Sequence, residues 1–294
     1  MNVATSIAEY RALRAELPGP VGFVPTMGFL HEGHLSLVRI ACERCTSVVA
    51  SIYVNPSQFA PTEDLADYPR DLDRDLRLLE DAGVNLVFAP EEGVGLYPEG
   101  YDTWIELPNL TARLEGASRP THFRGVATIV TKLFHIIEPD VAVFGQKDAQ
   151  QALVIDRLIR DLDFGVELVL GPIVREPDGL AMSSRNIYLS SEERSAATAL
   201  SRSLQLAERL YTEAQRDAEA IRAQMRKLIA TETLVEPLYV SIADVGTLEE
   251  LEVVDRKVLV SLAARVGKTR LLDNTVLPPG ESLLEEGGTN ASDL

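Results

Sequence analysis

Cysteine is almost absent: Cys42 and Cys45 are the only two in 294 residues. A C-x-x-C pair can serve as a redox site or as half of a zinc site. No second pair exists to complete a four-thiolate site, and four histidines are too few for a dedicated metal cluster. The expectation is two reduced thiols on one helix. Long apolar runs are also lacking. No stretch approaches the roughly 20 apolar residues that would span a bilayer. The N-terminus, MNVATSIAEYRALRAEL, has no basic region followed by an apolar run, so no secretory signal is expected. Positive charge is scarce as well. Twenty-eight Lys and Arg stand against 45 Asp and Glu, a formal net charge of −17. Nucleic-acid backbones select stripes of Lys and Arg, so such a partner is not expected. What remains is a cytoplasmic globular protein. Its length allows one large domain with a smaller appendage.

Strand and helix signals alternate through the first part of the chain. Helical spacing over 6–16 stops at Pro18-Gly19-Pro20. Val21–Val24 is a short apolar run that predicts a buried strand, and Leu35, Leu37, Val38, Ile40 and Ala41 suit a helix. A second strand, rich in β-branched residues, is expected over 48–54. A charged helix over 69–82 and a third strand over 84–89 follow. Residues 90–120 are looser and rich in Gly and Pro. Beyond them come a helix at 123–137, a strand at 141–144, a helix at 148–162 and a strand at 166–174. Continuous apolar strands alternating with helices predict an α/β fold with a parallel sheet covered on both faces. Composition shifts after about Leu189. Residues 191–230 read as long and helical, and strands are expected at 238–243, 258–264 and 269–273. The expected division is a parallel-sheet domain over 1–175, a smaller C-terminal α+β domain over 176–280, and a disordered tail over 281–294.

Ligands of such sheets sit beyond the carboxyl ends of the strands. Four segments with chemistry begin at such ends. The first is Pro25-Thr26-Met27-Gly28-Phe29-Leu30-His31-Glu32-Gly33-His34. His31 and His34 are three apart and share a face at a helix start. Gly33 lets another group approach closely, and the free N–H groups of a helix start attract phosphate. Two surface histidines would give the same pattern. The second is Asn55-Pro56-Ser57-Gln58-Phe59, whose neutral amides suit hydroxyls and a carboxylate. A plain Asx turn is the alternative. The third is Phe144-Gly145-Gln146-Lys147-Asp148-Ala149-Gln150-Gln151. Lys147 can reach phosphate as a point charge, and Asp148 can cap the following helix. The fourth is Val174-Arg175-Glu176-Pro177-Asp178-Gly179-Leu180-Ala181-Met182-Ser183-Ser184-Arg185-Asn186. It offers hydroxyls, backbone N–H groups and a guanidinium to a triphosphate, or serves only as a linker.

No one segment decides the matter, but the set is specific. H-x-G-H after the first strand and a later Met-Ser-Ser-Arg loop resemble the nucleotidyl-transferring Rossmann-like superfamily. Within it, PTMGFLHEGH, VNPSQF, DYPR, HFRGVATIV, FGQKDAQQ, DGLAMSSRNIYLS and RVGKTRLLDN resemble the pantothenate synthetase family, in its order, from about Val21 to Asn274. Phe29 stands where a small residue is commoner, and Gln146 and Ala149 replace a more usual Glu and Tyr. The resemblance implies a Rossmann-like domain with a C-terminal lid hinged near Val174–Pro177. It implies condensation of pantoate with β-alanine through a pantoyl adenylate, with ATP and Mg²⁺. Met27 to His34, Gly145 to Asp148, Val174 and Met182 to Arg185 would hold ATP. His34, His31, Lys147 and Arg185 would be catalytic. Gln58, Gln151, Asn55 and Tyr53 would hold pantoate and β-alanine. Tyr68, Arg119 and His122 fall in family-like segments with a weaker claim. The resemblance also implies a homodimer. A related adenylyl- or cytidylyltransferase would instead keep the nucleotide on its product.

Overall fold

The structure, a computed structural model, describes residues 1–61, 63, 65–91 and 96–284. The chain divides into two compact units. Among the described residues, the first comprises Met1–Gly145 and Val154–Gly171, and the second Gln146–Leu153 and 172–284.

The first unit is built on six parallel strands: β1 (Asn2–Ala4), β2 (Val21–Thr26), β3 (Ser47–Ile52), β4 (Leu86–Phe88), β5 (Val141–Gly145) and β6 (Glu167–Gly171). Their order is β1-β4-β3-β2-β5-β6. The order reverses between β2 and β5, the switch point at which such sheets leave room for a ligand. Helices α1 (Ile7–Arg14), α2 (Glu32–Arg44), α3 (Leu72–Asp81), α4 (Leu114–Ser118), α5 (His122–Ile137) and α6 (Ala149–Asp161) connect the strands. Val24, Val48, Ala50, Val87 and Val143 of the strands pack with Leu30, Val38, Ala41 and Leu79 in one cluster. Helix α5 is buried on nearly all sides, sparing only Arg124, Lys132 and His135. An all-round apolar helix of this kind belongs inside a core.

The second unit pairs an antiparallel sheet, β7 (Val235–Asp244), β8 (Val258–Val266) and β9 (Thr269–Leu277), with α7 (Ser191–Ala197), α8 (Ala199–Thr212) and α9 (Ala218–Ile229). Gly267 at φ +57 opens the two-residue turn between β8 and β9, a conformation that glycine adopts without a Cβ clash. Leu200, Leu204, Ile221, Met225, Ile242, Val260, Leu262 and Leu277 form its core.

Several expected elements shift for identifiable reasons. β1 is only three residues long and carries no readable period. β6 stops at Gly171, because Pro172 has no N–H for the ladder. The single long helix over 191–230 is three. A capping box of Ser190 and Glu193 starts α7, and Ala214, in the left-handed region, follows the end of α8. The loose stretch 90–120 holds α4 and a 3-10 turn at Leu110–Ala112. Of the tail expected to be disordered, 285–294 lie outside the described residues, while Leu283 is buried. Cys42 and Cys45 sit on α2 and its C-cap as free thiols, and burial raises both pKa values. No helix among the described residues is long and apolar enough to cross a membrane.

Candidate active site

In the first unit the loop before α2 leaves β2 through a tight backbone path. Thr26 Oγ1 donates to Ser51 O at 2.8 Å and accepts from Gly28 N at 3.1 Å. Gly28 has φ +83, and a Cβ there would come within 3.1 Å of Asp75 Oδ2. Phe29 also takes positive φ, +50, which is costly for a side chain of this size. Asp75 of α3 holds that conformation. Its carboxylate accepts from Phe29 N at 2.6 Å and Leu30 N at 2.8 Å. The neighbouring Arg74 donates to Leu30 O at 2.9 Å and lies over the Phe29 ring. Asp75 is 1% exposed. Burial raises its pKa above the ordinary carboxyl value, while the two N–H donors and Arg74 pull the other way.

The loop then enters α2 through an unusual cap. His31 is the N-cap, and its Nδ1 accepts from Gly33 N at 3.2 Å. His34 reaches back, and its Nδ1 accepts from His31 N at 3.3 Å. The two imidazoles thus take the roles that Ser and Glu take in an ordinary capping box. Their ring centroids are 4.1 Å apart. A neutral imidazole that accepts at Nδ1 carries its proton on Nε2. Both rings are therefore set to donate from Nε2, beside a helix start that favours anions.

The amide segment after β3 is bonded to this loop. Gln58 Nε2 donates to Met27 Sδ at 3.0 Å, and Gln58 Oε1 accepts from Asn55 Nδ2 at 3.1 Å. Asn55 is buried and also donates to Gly125 O. The Gln58 carbonyl accepts from His122 Nδ1 at 2.9 Å and from Arg119 Nη2 at 3.3 Å. A carbonyl can only accept, so His122 carries its proton on Nδ1. Burial, with the positive charge of Arg119, pushes the His122 pKa down to about 4. Arg119 is in turn clamped by Glu63 at 2.6 and 2.7 Å. Tyr53 is half-buried at the end of β3, its N–H bonded to Thr26 O.

In the second unit, Gln146–Asp148 form a 3-10 turn ahead of α6. Asp148 lies inside the turn, its carboxylate 3.6 Å from Lys147 Nζ. Met182 N donates to Val174 O at 2.9 Å and Glu176 N to Leu180 O at 2.8 Å, so 174–182 folds back on itself as a hairpin. The stretch 174–177 belongs to the second unit. Ser183 caps a 3-10 turn over Ser184–Tyr188 by accepting from Arg185 N. Asn186 fastens the far side, donating to Glu176 Oε1 and Ala181 O.

The sequence profile described as Pantoate-beta-alanine ligase matches residues 2–276. The chain belongs to the pantoate-beta-alanine ligase family. A pantothenate synthetase from Roseiflexus sp. (strain RS-1) is 57% identical over 277 residues, covering 94% of this chain and 99% of the relative. One from Herpetosiphon aurantiacus is 55% identical over 280 residues, covering 94% and 100%. The crystal structure of pantothenate synthetase from Thermus thermophilus superposes with a TM-score of 0.89 at 45% identity, covering 94% of this chain and 99% of that one. The pantoate-beta-alanine ligase of Francisella tularensis, crystallised with beta-gamma ATP and beta-alanine, gives 0.78 at 32% identity, covering 96% and 100%.

Within this family fold, the first unit gathers Met27, Asn55 and Gln58 by direct hydrogen bonds, and it carries the histidine cap. The second carries Gln146, Lys147, Asp148, Gln151, Val174 and Met182–Arg185. Sequence reasoning missed Asp75. The available signal was an acidic residue four before Leu79, on the buried stripe of α3. It also missed Glu63 behind Arg119, and Asp273 and Asn274 behind the Lys147 turn and the hairpin.

Proposed function

We propose that this protein joins pantoate to β-alanine using ATP. The pantoate carboxylate attacks the α-phosphorus, the bond to pyrophosphate breaks, and pantoyl adenylate forms. The β-alanine amine then attacks the acyl carbon and loses a proton, and AMP leaves. The observation that carries this proposal is the histidine capping box at the head of α2, with the Asn55–Gln58 amides bonded to the same loop. A carboxylate is already ionised at neutral pH, so the first step needs no base. It needs alignment and relief of repulsion between two anions. Donors at the Nε2 atoms of His31 and His34, and positive charge from Lys147 and Arg185, meet that need. Capping geometry favours the donor role for His34 over removal of the amine proton.

The rest of the ATP contacts are assigned to Met27–His34, Gly145–Asp148, Val174 and Met182–Arg185. Pantoate and β-alanine are assigned to Gln58, Gln151, Asn55 and Tyr53, whose neutral groups bind a hydroxyl acid without adding charge. Among the described residues no group of three or more His, Cys, Asp or Glu is gathered to hold a metal. Mg²⁺ enters with the substrate, on the ATP phosphates, a mode that needs few protein ligands. A homodimer in the cytoplasm, and a second unit that covers the adenylate against water, complete the proposal.

The test is an assay with ATP, Mg²⁺, pantoate and β-alanine, each omitted in turn. Free AMP that depends on β-alanine is expected, and a product that keeps the nucleotide would overturn the assignment. His34→Ala should cost about 3 kcal/mol of transition-state stabilisation, roughly a hundredfold in pyrophosphate release, with the fold intact.

A further inference from the structure

From the hydrogen bonds of one strand we infer that Asp273 and Asn274 of β9 are positioning residues for ATP. They fix the Lys147 turn and the 174–182 hairpin, which leads into Met182–Arg185, as one body. The inference rests on the proposed ATP role of those two segments. Asn274 is 3% exposed. Its Nδ2 donates to Gln146 O at 3.0 Å and to Lys147 O at 2.9 Å. One amide thereby holds two successive carbonyls of the turn from which Lys147 projects. The other end of the side chain gains nothing: Oδ1 is buried with no hydrogen-bond partner. An apolar side chain here would remove both bonds to the turn.

Asp273, next on the strand, does the same for the hairpin. It is 2% exposed and takes both Nη atoms of Arg175, at 2.7 and 3.0 Å. This forked pairing is the arrangement in which Arg is most strongly directed. Arg175 follows Val174, whose carbonyl accepts from Met182 N, and its Nη1 also bonds Gly179 O. Burial raises the Asp273 pKa, and Arg175, Asn274 N and Lys147 act against that rise. Two adjacent side chains set where the ammonium and the Met-Ser-Ser-Arg backbone stand relative to each other. A triphosphate touched by both requires that spacing to be fixed before it binds.

The experiment compares Asn274→Ala and Asp273→Asn with Val276→Ala, a buried position on the same strand outside this network. ATP affinity is read by calorimetry with MgATP, and KM and kcat by AMP release. Asn274→Ala should weaken ATP binding and raise its KM at least tenfold, with the KM for β-alanine within twofold. Val276→Ala should lower the melting temperature without moving either ATP constant. ATP constants within twofold of wild type in Asn274→Ala, or an equal shift in Val276→Ala, would overturn the inference. If Asn274→Ala does not fold, the near-isosteric Asp273→Asn decides by the same readouts, with at least a threefold loss of ATP affinity expected. Wild-type protein that binds MgATP but makes no AMP would refute the proposed reaction while leaving the positioning test intact.

Discussion

Asp75 is itself assigned to no substrate, yet the N–H groups of Phe29 and Leu30, in the loop assigned to ATP, depend on it. Both are short bonds to a residue with almost no exposure, and they hold Phe29 in a conformation it disfavours. Asparagine at this place keeps the volume but offers one acceptor and one donor. A donor would then face a donor, at about 1–3 kcal/mol for the unsatisfied group. Asp75→Asn is expected to raise the KM for ATP and lower kcat together, at least tenfold in kcat/KM, because the cap of α2 starts one residue beyond the clamp. Steady-state kinetics check this, and unchanged constants would show that the loop keeps its path without the carboxylate. The histidines differ in kind. Their spacing was legible in the sequence as a shared face, but the shared cap was not. It depends on His31 taking an extended backbone while His34 is already helical.

Helix α5 sets the amide segment from behind. A Cβ at Gly125 would fall on Ser57 O and within 2.7 Å of Gln58 N. Those contacts are backbone atoms and cannot turn aside as a flexible side chain would. Gly125→Ala should therefore displace the Asn55–Gln58 turn, costing about 1–3 kcal/mol as an overpacked core does. The expected readout is a rise in the KM for pantoate larger than any change in the KM for ATP. Equal changes in both, or none, would sever α5 from the pantoate assignment. The glycine itself was visible in the motif HFRGVATIV, but its reason was not. Helical periodicity marks the buried stripe and is silent about which loop lies against it. The end of β6 differs, since Pro172 was a local stop signal that the expected strand over 166–174 ran past, whereas the break after α8 had none, because Ala214 is not a residue that marks a left-handed turn.

Acid sensitivity is a property of the folded molecule, and His122 contributes to it with a definite sign. Its pKa is about 4 when folded, against an ordinary histidine value of 6.5. Between those values the unfolded chain binds a proton that the folded chain refuses. The stability from neutral His122 is thus complete above about 6.5 and is lost as pH falls toward 4, by up to about 3 kcal/mol. Urea midpoints at pH 7 and pH 4.5 should fall further for wild type than for His122→Gln, and equal falls would refute the assignment. By itself the sequence determined the alternation of parallel strands and helices, the place of each motif at a strand end, and the family. Those are properties of neighbouring residues, set by side-chain period and turn chemistry. Only the tertiary structure decided what holds the motifs. Asp75 lies 46 residues from Phe29, Asp273 98 from Arg175, and Asn274 127 from Lys147. A hydrogen bond across such separations leaves no local pattern, because it exists only once the sheet and helices have brought donor and acceptor within about 3 Å.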